Sequence, residues 1–314
     1  MRRMPQPIPY QGSKRNIAGQ ILSVFPNGVA TLIEPFAGSA AVSVAAAYGQ
    51  KAEKFYLNDL NKPLMELLAM IVNEPQEIAD RYERLWQAQL GRERAYYDFV
   101  RDEFNKTHRP DYLLYLLARC VKASVRYNAN GDFNQSPDNR RRGRRPSSMQ
   151  QEILGVSRLL QGKTTIVSGD YRELLDIISE NDLVYMDPPY QGTSQNKDPR
   201  YYSGLNFGDL IDFLEELNRR QVMFMLSYDG RTGTKTYGRE LPSSLGLQQM
   251  EIHAGRSSQA TLLGKSVQTY ESLYLSPALA LRLIGERNGR MVEWASDNGL
   301  SDMTFPRQLE FDLV

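Results

Sequence analysis

The stretch Asp182-Leu183-Val184-Tyr185-Met186-Asp187-Pro188-Pro189-Tyr190 indicates how this chain folds. Its apolar run, ending at Met186, is typical of a buried strand. The two prolines that follow end the strand, because proline has no N–H to donate to a sheet ladder. The pattern therefore predicts a carboxylate, a rigid turn and an aromatic ring at the carboxyl end of a strand, where open α/β sheets bind their ligands.

The residue types at this strand end suit one kind of ligand group. The Asp187 carboxylate and the Pro188 carbonyl can both accept N–H bonds, and the Tyr190 ring can stack on a planar base. Together they match an exocyclic amino group on such a base. A strand that ends in Asp-Pro-Pro is also often only a turn, so the motif needs support from the rest of the chain.

Composition limits the classes of protein that this chain can represent. Its 314 residues suffice for one large domain or for one core with an insertion. The net charge of +1 gives no global basic field, so binding to nucleic acid would depend on a local patch. No long apolar run or signal peptide is evident, and the cytoplasm is the expected compartment.

Cysteine and histidine are too scarce for several kinds of site. The single cysteine, Cys120, excludes an intramolecular disulfide framework and a cysteine-cluster zinc site. It follows an apolar helical stretch, which predicts a buried structural thiol. The only histidines are His108 and His253, so neither a histidine metal site nor a Ser-His triad is expected.

Strand and helix patterns alternate in two parts of the chain. The predicted strands are residues 29–33, 54–57, 164–167, 183–186, 222–227, 247–252 and 270–275, and the predicted helices are residues 39–48, 62–72 and 207–220. This βαβα order implies parallel strands covered by helices.

The middle of the chain has a different pattern. Residues 74–125 are helical, amphipathic and rich in charge, and Asn130-Gly131 within residues 126–134 is a strong hairpin signal. A basic segment, which we call the arginine run, follows at residues 139–146. The predicted organisation is a catalytic part at 1–73, a mostly helical insertion at 74–162, a second catalytic part at 163–276, and an extension at 277–314 that is either a helical cover or a partner-binding tail.

Candidate ligand-binding residues follow the predicted strands. The small residues of Glu34-Pro35-Phe36-Ala37-Gly38-Ser39-Ala40 would let a cofactor approach the backbone, with Ser39 as a cap or first-turn residue of the next helix. Asp59 fits either a ribose diol or a helix cap, and Asp170 fits either an adenine amino group or a cap. Lys14 could hold a carboxylate or be an ordinary exposed lysine.

Taken in order, these segments resemble a known family. PYQGSK (9–14), EPFAGSA (34–40), LND (57–59), SGDY (168–171) and DPPY (187–190) are similar to the motifs of the Dam-type, alpha-group DNA adenine N6-methyltransferases, and RYNANGDFNQSP (126–137) is similar to that family's DNA-reading hairpin. The resemblance covers most of residues 8–276. It implies methyl transfer from S-adenosylmethionine to adenine N6 in duplex DNA, on a Rossmann-like sheet with an inserted, mostly helical DNA-recognition domain.

The resemblance also implies roles for individual residues. By position, Tyr10 and Lys14 would contact the methionine part of the cofactor, and Phe36 and Gly38 would line its pocket. Asp59 would bind the cofactor ribose, and Asp170 would bind the cofactor adenine. The target base would be held by Asp187, Pro188, Pro189 and Tyr190, and Asp187 would also border the cofactor. The chain departs from the family at Ala40, where a second glycine is common, and a modest effect on cofactor approach is expected. The arginine run is a second departure, which bears on DNA sequence specificity.

The insertion supplies the expected DNA contacts. A duplex base must flip out to reach such a pocket, and contacts to the DNA backbone would help to hold the distorted duplex. The arginine run predicts phosphate contacts from Arg140, Arg141, Arg142, Arg144 and Arg145. The alternative is that the run is only a solvated loop. The hairpin offers side chains suited to base edges, namely Arg126, Asn128, Asn130 and Asn134. Tyr201 and Tyr202 would support the flipped base or simply pack.

Two other functions fit part of the pattern. A cytosine N4-methyltransferase needs the same amino-group geometry, although Asp187 favours adenine over it. A non-catalytic DNA-binding subunit would not need the cofactor segments. C5-cytosine chemistry is not expected, because Cys120 lies on an apolar helix rather than in an exposed loop. No nuclease motif is evident, so a restriction endonuclease acting on the same sequence would be a separate chain, and DNA binding would associate the protein with the nucleoid.

Overall fold

The structure is a computed structural model that describes residues 4–189, 205–232, 235–237, 239–256 and 268–297. Five parallel strands form the centre of its sheet: β1 (Val29–Glu34), β2 (Ala52–Asn58), β3 (Thr164–Val167), β4 (Leu183–Met186) and β5 (Met223–Thr232). Three antiparallel strands complete it: β6 (Lys235–Tyr237), β7 (Gln248–Arg256) and β8 (Gln268–Leu275). The order is β3-β2-β1-β4-β5-β8-β7, with β6 paired to β5.

Helices cover the sheet and form the insertion. Those in the α/β part are α1 (Ala18–Leu22), α2 (Ala41–Tyr48), α3 (Lys62–Asn73), α8 (Phe207–Arg219) and α9 (Pro277–Asp297). Between α3 and β3 lie α4 (Pro75–Ala88), α5 (Glu93–Thr107), α6 (Pro110–Arg119) and α7 (Pro146–Leu160). The α/β sheet with a mostly helical insertion is therefore confirmed.

The central strand β4 shows why the sheet buries both faces. All four of its residues are buried, as a parallel strand covered by helices requires. Leu183 and Tyr185 belong to the hydrophobic cluster on one face, whereas Val184 and Met186 belong to the cluster on the other. This alternation follows from the two-residue period of a strand, and it directs the next residue, Asp187, out of the strand end.

The insertion shares its hydrophobic core with the sheet. Tyr82 of α4, Tyr97 of α5 and Leu113 of α6 are fully buried in the same cluster as Leu32 of β1 and Phe55 of β2. Cys120, at the end of α6, is also buried, and burial raises the pKa of its thiol to about 12. The expected structural thiol is confirmed, while the expected domain boundaries stay a prediction.

Three of these elements were not indicated by the sequence, and one expected cap differs. Helix α7 begins at Pro146, directly after the arginine run, whereas the five-residue helix α1 and the three-residue strand β6 are too short for a periodic signal. Ser39 does not cap α2, which begins at Ala41 without a side-chain cap from its N-cap residue, Ala40. The cap comes from another element instead, because Glu34 at the end of β1 accepts a hydrogen bond from the Ser43 amide at 2.7 Å.

The described part of the C-terminal extension begins as a cover for the sheet. Ser276 accepts a hydrogen bond from the Phe224 amide of β5 at 3.0 Å and from the Leu279 amide in the first turn of α9. Leu279 is fully buried, and Glu286 further along the helix bonds the Asn27 side chain. Among the helices of the described residues, none is long and apolar enough to cross a lipid bilayer.

Candidate active site

A cavity of about 350 Å³ opens at the carboxyl ends of the parallel strands. The strand order reverses between β1 and β4, which is the topological switch point where α/β sheets bind ligands. We call this space the strand-end cavity. It brings together nine residues that the sequence singled out: Tyr10, Lys14, Phe36, Gly38, Asp59, Asp170, Asp187, Pro188 and Pro189. Tyr190, Tyr201 and Tyr202 lie outside the described residues.

The turn between β1 and α2 forms the floor of the cavity. Gly38 has φ of +51°, a left-handed conformation that glycine adopts without steric cost. A β-carbon at this glycine would lie 3.4 Å from the Tyr10 ring, which is ordinary van der Waals contact. The backbone conformation is therefore the reason that this position suits glycine.

Ala40 explains why a glycine is common at its position in the family that the motifs resemble. It is fully buried and adopts φ of 53° and ψ of 37°, again the left-handed region. That conformation is unfavourable for a residue with a β-carbon. The departure at Ala40 therefore affects the backbone of the turn, in addition to the modest effect on cofactor approach that its size predicts.

Asp59 ties two strand ends together at the cavity wall. Its Oδ2 accepts a hydrogen bond from the Gly38 amide and its Oδ1 one from the Asn61 amide, both at 2.9 Å. The neighbouring Asn58 side chain donates to the carbonyls of Pro35 and Gly169, at the ends of β1 and β3. The Asp59 carboxylate thus holds the β1–α2 turn, and each of its oxygens retains a second lone pair.

Asp170 caps a short 3-10 helix, Tyr171–Asp176. Its carboxylate accepts a hydrogen bond from the Arg172 amide at 2.9 Å and forms an ion pair with the Arg172 guanidinium at 2.6 Å. These bonds hold the pKa of Asp170 below its usual value. Arg172 also pairs with Asp209 across the cavity wall at 2.9 Å. Beside this network the rings of Phe36 and Tyr171 lie 4.9 Å apart. The capping alternative for Asp170 is thus present, whereas binding of an adenine amino group stays a prediction.

Lys14 is buried, with its ammonium between two carboxylates. Its Nζ lies 3.1 Å from Asp187 and 2.8 Å from Glu271 of β8, and only 6% of its side chain is exposed. The alternative of an ordinary exposed lysine is therefore wrong, because the ammonium is desolvated and needs these partners. The expected contact with the methionine part of a cofactor stays a prediction.

Burial dominates the titration of the carboxyl groups in the cavity. The pKa of Asp187 is raised to about 6, mainly by burial; the charge of Lys14 opposes the rise and that of Glu271 contributes to it. Burial raises the pKa of Glu34 to about 8, and the nearby charges of Asp187 and Asp59 add to this effect. Asp59 is shifted in the same direction by burial. The cavity therefore concentrates carboxyl groups beyond what its cations neutralise.

The predicted hairpin is present and joins the cavity to the insertion. The Asn128 amide bonds the Asp132 carbonyl, the Asn134 amide bonds the Arg126 carbonyl, and Gly131 takes the left-handed conformation that closes the turn. Val125, which precedes the hairpin, lines the strand-end cavity. The base of the hairpin is therefore next to the cavity in the chain.

The four hairpin candidates are exposed but not equally available. Arg126, Asn130 and Asn134 project from the hairpin. Asn128 instead shapes the turn, because its Oδ1 accepts hydrogen bonds from the amides of Asn130 and Asp132 and its Nδ2 donates to the Asp132 carboxylate. A base-edge role for Asn128 would have to compete with these bonds.

The arginine run is an ordered segment whose carbonyls face the protein. The Gln89 side chain donates to the Arg142 carbonyl, the Tyr82 hydroxyl to the Arg144 carbonyl, and buried Arg119 to the Arg141 carbonyl. With the backbone held inward, the side chains of Arg140, Arg141 and Arg142 are 86%, 65% and 63% exposed. Because these side chains are solvated, the choice between phosphate contacts and a solvated loop stays a prediction.

The guanidinium groups of the run have acidic partners within the protein. Arg140 and Arg141 both pair with buried Asp138, at 3.1 and 2.7 Å, and these bonds hold the pKa of Asp138 far below its usual value. Arg142 pairs with Glu93, while Arg144 is half-buried beside Glu152 and donates to the Gln6 carbonyl. Arg145 is exposed at the start of α7.

Sequence reasoning missed several residues of the site. Glu34, Tyr171 and Arg172 each lie within or beside the recognised motifs, but nothing in the sequence shows that they face the cavity. Glu271 has no local signal, because it reaches Lys14 only through the pairing of β8 with β5. Only the sheet register could have revealed it.

Comparisons with known proteins agree with this geometry. The family model described as D12 class N6 adenine-specific DNA methyltransferase matches residues 10–257. The chain is 28% identical over 258 residues to the DNA N-6-adenine-methyltransferase of Escherichia phage P1, covering 79% of this chain and 32% of that protein. It is 28% identical over 233 residues to modification methylase StsI of Streptococcus sanguinis, covering 70% of this chain and 35% of that protein.

A third relative is closer in length. The chain is 32% identical over 192 residues to the Retron Ec67 DNA adenine methylase of Escherichia coli, covering 59% of this chain and 64% of that protein. The chain thus spans about a third of the length of the phage P1 and StsI proteins. Because the family model matches more than three quarters of its residues, this chain belongs to the D12 class N6 adenine-specific DNA methyltransferases.

Proposed function

We propose that this chain transfers a methyl group from S-adenosylmethionine to the N6 atom of adenine in duplex DNA, after flipping the target base. The observation that carries the proposal is the position of Asp187 and Pro188 at the switch-point cavity. Asp187 and Pro188 line the same space as Gly38 and Asp59. One cavity thus offers groups for an amino group and for a nucleoside cofactor.

The residues present fit S-adenosylmethionine. The Asp59 carboxylate suits a ribose diol, and the Phe36 and Tyr171 rings offer an apolar wall for an adenine. Gly38 lines the cavity and has no side chain, so a cofactor can approach the backbone there. When bound, the cofactor supplies an electrophilic methyl group on a sulfonium sulfur. Tyr10, Lys14, Asp170 and Asp187 complete the proposed cofactor contacts.

The chemical task of the protein is to make a poor nucleophile react. The N6 lone pair of adenine is delocalised into the ring, which withdraws it from reaction. Hydrogen bonds from N6 to the Asp187 carboxylate and the Pro188 carbonyl return electron density to nitrogen and orient it. After transfer the nitrogen carries one proton too many, and the Asp187 carboxylate lies on that N–H. A pKa of about 6 suits a group that accepts a proton near neutral pH.

The insertion is proposed as the DNA interface. The exposed arginines of the run present charge to phosphates, which are the usual partners of such segments. Arg126, Asn130 and Asn134 on the hairpin are the proposed base-reading residues. Tyr190 stacking on the flipped base remains part of the proposal, with a contribution of about 1–3 kcal/mol for such stacking. A separate restriction endonuclease acting on the same sequence also remains a prediction, suggested by the name of the StsI relative.

The reaction product tests the proposal. The purified chain is incubated with duplex DNA and S-adenosylmethionine carrying a deuterated methyl group, and the DNA is digested to nucleosides for mass spectrometry. Deuterated N6-methyladenine is expected. Finding only N4-methylcytosine would move the assignment to the cytosine reaction, and DNA binding without any methylated product would favour a non-catalytic subunit. Sequencing of modified positions in the same DNA would identify the recognised site.

A further inference from the structure

Glu271 stands outside every motif, yet it contacts the centre of the site. It lies on β8, paired with Ile252 of β7, and does not line the strand-end cavity. Its carboxylate reaches the Lys14 ammonium at 2.8 Å, a shorter distance than the 3.1 Å from Lys14 to Asp187. Lys14 therefore stands between the residue proposed to bind N6 and a second acid behind it.

The charge count gives this arrangement a chemical consequence. With Asp187 as its only acidic partner, buried Lys14 would form a neutral pair and draw electron density from the Asp187 oxygens. The second carboxylate shares the ammonium, so the group of three keeps a net negative charge. Asp187 then remains a strong acceptor for an N–H bond, which a fully neutralised carboxylate would not be.

Among the residues that the structure describes, the other acidic and phenolic groups around Asp187 do not supply this balance. Tyr185, on the same strand, is buried and bonded to Ser227 at 3.0 Å. Glu34, at the end of β1, is directed to the Ser43 amide and is largely neutral below pH 8 because burial raises its pKa to about 8. Asp59 accepts hydrogen bonds from the amides of Gly38 and Asn61. The charge opposite Asp187 is therefore that of Lys14. Glu271 shares this charge through its own ion pair with Lys14.

We propose that Glu271 is a positioning residue for methyl transfer, which fixes the Lys14 ammonium and shares its charge, and thereby keeps the Asp187 carboxylate a strong acceptor directed at the amino group. The inference rests on the proposed function. It deepens that function by adding a residue from the antiparallel edge of the sheet. It also assigns Lys14 a role toward Asp187 that is distinct from cofactor contact.

Single-turnover methylation tests this role, with wild type, Glu271→Gln and the control Glu251→Gln compared from pH 5 to 8.5. Glu251 is an exposed acid on the neighbouring strand β7. In Glu271→Gln the plateau rate is expected to fall about tenfold or more, because Lys14 then neutralises Asp187 alone. The acid limb of the profile is expected to move to lower pH, because a negative charge that raises the pKa of Asp187 has been removed. Dissociation constants for S-adenosylmethionine and DNA are expected to stay within about twofold of wild type.

The outcomes separate this inference from the function on which it rests. A wild-type protein without N6-methyladenine product overturns both. An active wild type together with a Glu271→Gln variant of normal rate and unmoved acid limb overturns only the role of Glu271. Loss of S-adenosylmethionine binding in a folded Glu271→Gln variant would also overturn it, because Lys14 would then act on the cofactor.

A second variant keeps the test decisive if Glu271→Gln does not fold. Glu271→Asp retains the charge but withdraws it from Lys14 by one methylene group. A smaller loss of rate in the same direction is expected, and an unchanged rate and profile overturns the proposal. Circular dichroism of each variant verifies the fold before the kinetics are compared.

Discussion

The strand-end cavity and the arginine run hold their charges in opposite ways. In the cavity the acids Glu34, Asp59 and Asp187 share a buried space, and burial raises the pKa of each. In the run the arginines are exposed, and their partner Asp138 has a lowered pKa. Charges of the first kind are maintained by the fold at a cost in stability, whereas ion pairs of the second kind can exchange partners with little loss.

This difference matches the two tasks proposed for the molecule. A charge that must act on one atom in a transition state works best when it is desolvated and fixed before the substrate arrives. A charge that must hold a DNA backbone only has to exchange a protein carboxylate for a phosphate. The two regions can be tested separately, beginning with the largest expected effect.

Removal of the central carboxylate should be the most damaging change. Asp187→Ala is expected to lower the single-turnover rate about 10²–10³-fold, the usual loss when a charge-stabilising group is deleted from an active site. DNA affinity and the fold should persist, because Asp187 lies at the cavity end of its strand. Rapid-quench kinetics at saturating DNA and cofactor measure the rate. Asp187→Asn keeps one oxygen acceptor, so its rate should lie between those of wild type and Asp187→Ala. A near-normal rate for Asp187→Ala would show that Asp187 takes no part in the chemistry.

The arginine run should affect binding rather than rate. The triple variant that combines Arg140→Ala, Arg141→Ala and Arg142→Ala is expected to weaken binding to every duplex by about 10–100-fold. The slope of log K against log salt should fall by about 0.9 for each phosphate that is no longer neutralised. Fluorescence anisotropy across a salt series measures both quantities. The matched control is Arg219→Ala with Arg220→Ala on α8, where both arginines also pair with one acid, Glu216. A full salt slope in the triple variant would show that the run does not touch the DNA.

Asp59 should affect the cofactor. Asp59→Ala is expected to raise the dissociation constant of S-adenosylmethionine about 10–100-fold, because a hydrogen-bond acceptor to the ribose is removed together with the anchor of the Gly38 turn. Isothermal titration calorimetry measures the constant. Asp59→Asn keeps an oxygen that can accept the Gly38 amide, so it separates loss of the ribose contact from loss of the turn anchor. An unchanged constant in both variants would exclude Asp59 from the cofactor site.

Glu34 should link stability to pH. Its pKa of about 8 in the folded chain exceeds the ordinary value of 4.5, so folding favours the neutral acid. The stabilisation is therefore complete below about pH 4.5 and is lost as the pH rises through 8. Each pKa unit corresponds to about 1.4 kcal/mol, so a loss of a few kcal/mol is expected across this window.

Glu34→Gln tests this link without removing the cap on α2. Glutamine keeps an acceptor for the Ser43 amide but does not titrate, so the variant should lose less stability than wild type between pH 5 and 8.5. Urea unfolding at several pH values measures the difference. Asp187 and Asp59 give the free energy of unfolding a pH dependence of the same sign, which wild type and variant both retain. Parallel curves of unfolding free energy against pH for the two proteins would contradict a neutral Glu34.

The sequence predicted the parts of the fold that have local signals. The short apolar run of β4 and the prolines after it indicated a buried strand, and its four residues are indeed buried. Asn130-Gly131 indicated the hairpin because a left-handed glycine closes that turn. The ordered set of strand ends predicted one cavity, since the carboxyl ends of parallel strands meet at one edge of a sheet.

Contacts between distant elements could not be predicted in the same way. Glu34 lies in one of the recognised motifs, but its role as the cap of α2 depends on how the strand packs beneath the helix. Ser39 was the expected cap because Ser favours that position, yet the left-handed turn at Ala40 intervenes before the helix begins. One acidic partner of the run, Glu93 for Arg142, comes from a helix about 50 residues away.

The smallest expected effect concerns Ala40, which is buried in the turn between β1 and α2. Ala40→Gly should relieve a left-handed conformation that costs a β-carbon residue about 1–2 kcal/mol. It should also lose about 0.8 kcal/mol from a buried methyl group and about 0.4–1 kcal/mol from the greater freedom of glycine in the unfolded chain. These terms nearly cancel, so the free energy of unfolding should change by less than about 1 kcal/mol. Ala40→Val is the control, because a branched side chain at this φ and with no exposed surface should destabilise the fold by several times as much. Equilibrium unfolding in urea measures both, and a Gly variant as destabilised as the Val variant would show that the turn needs the methyl group rather than tolerating it.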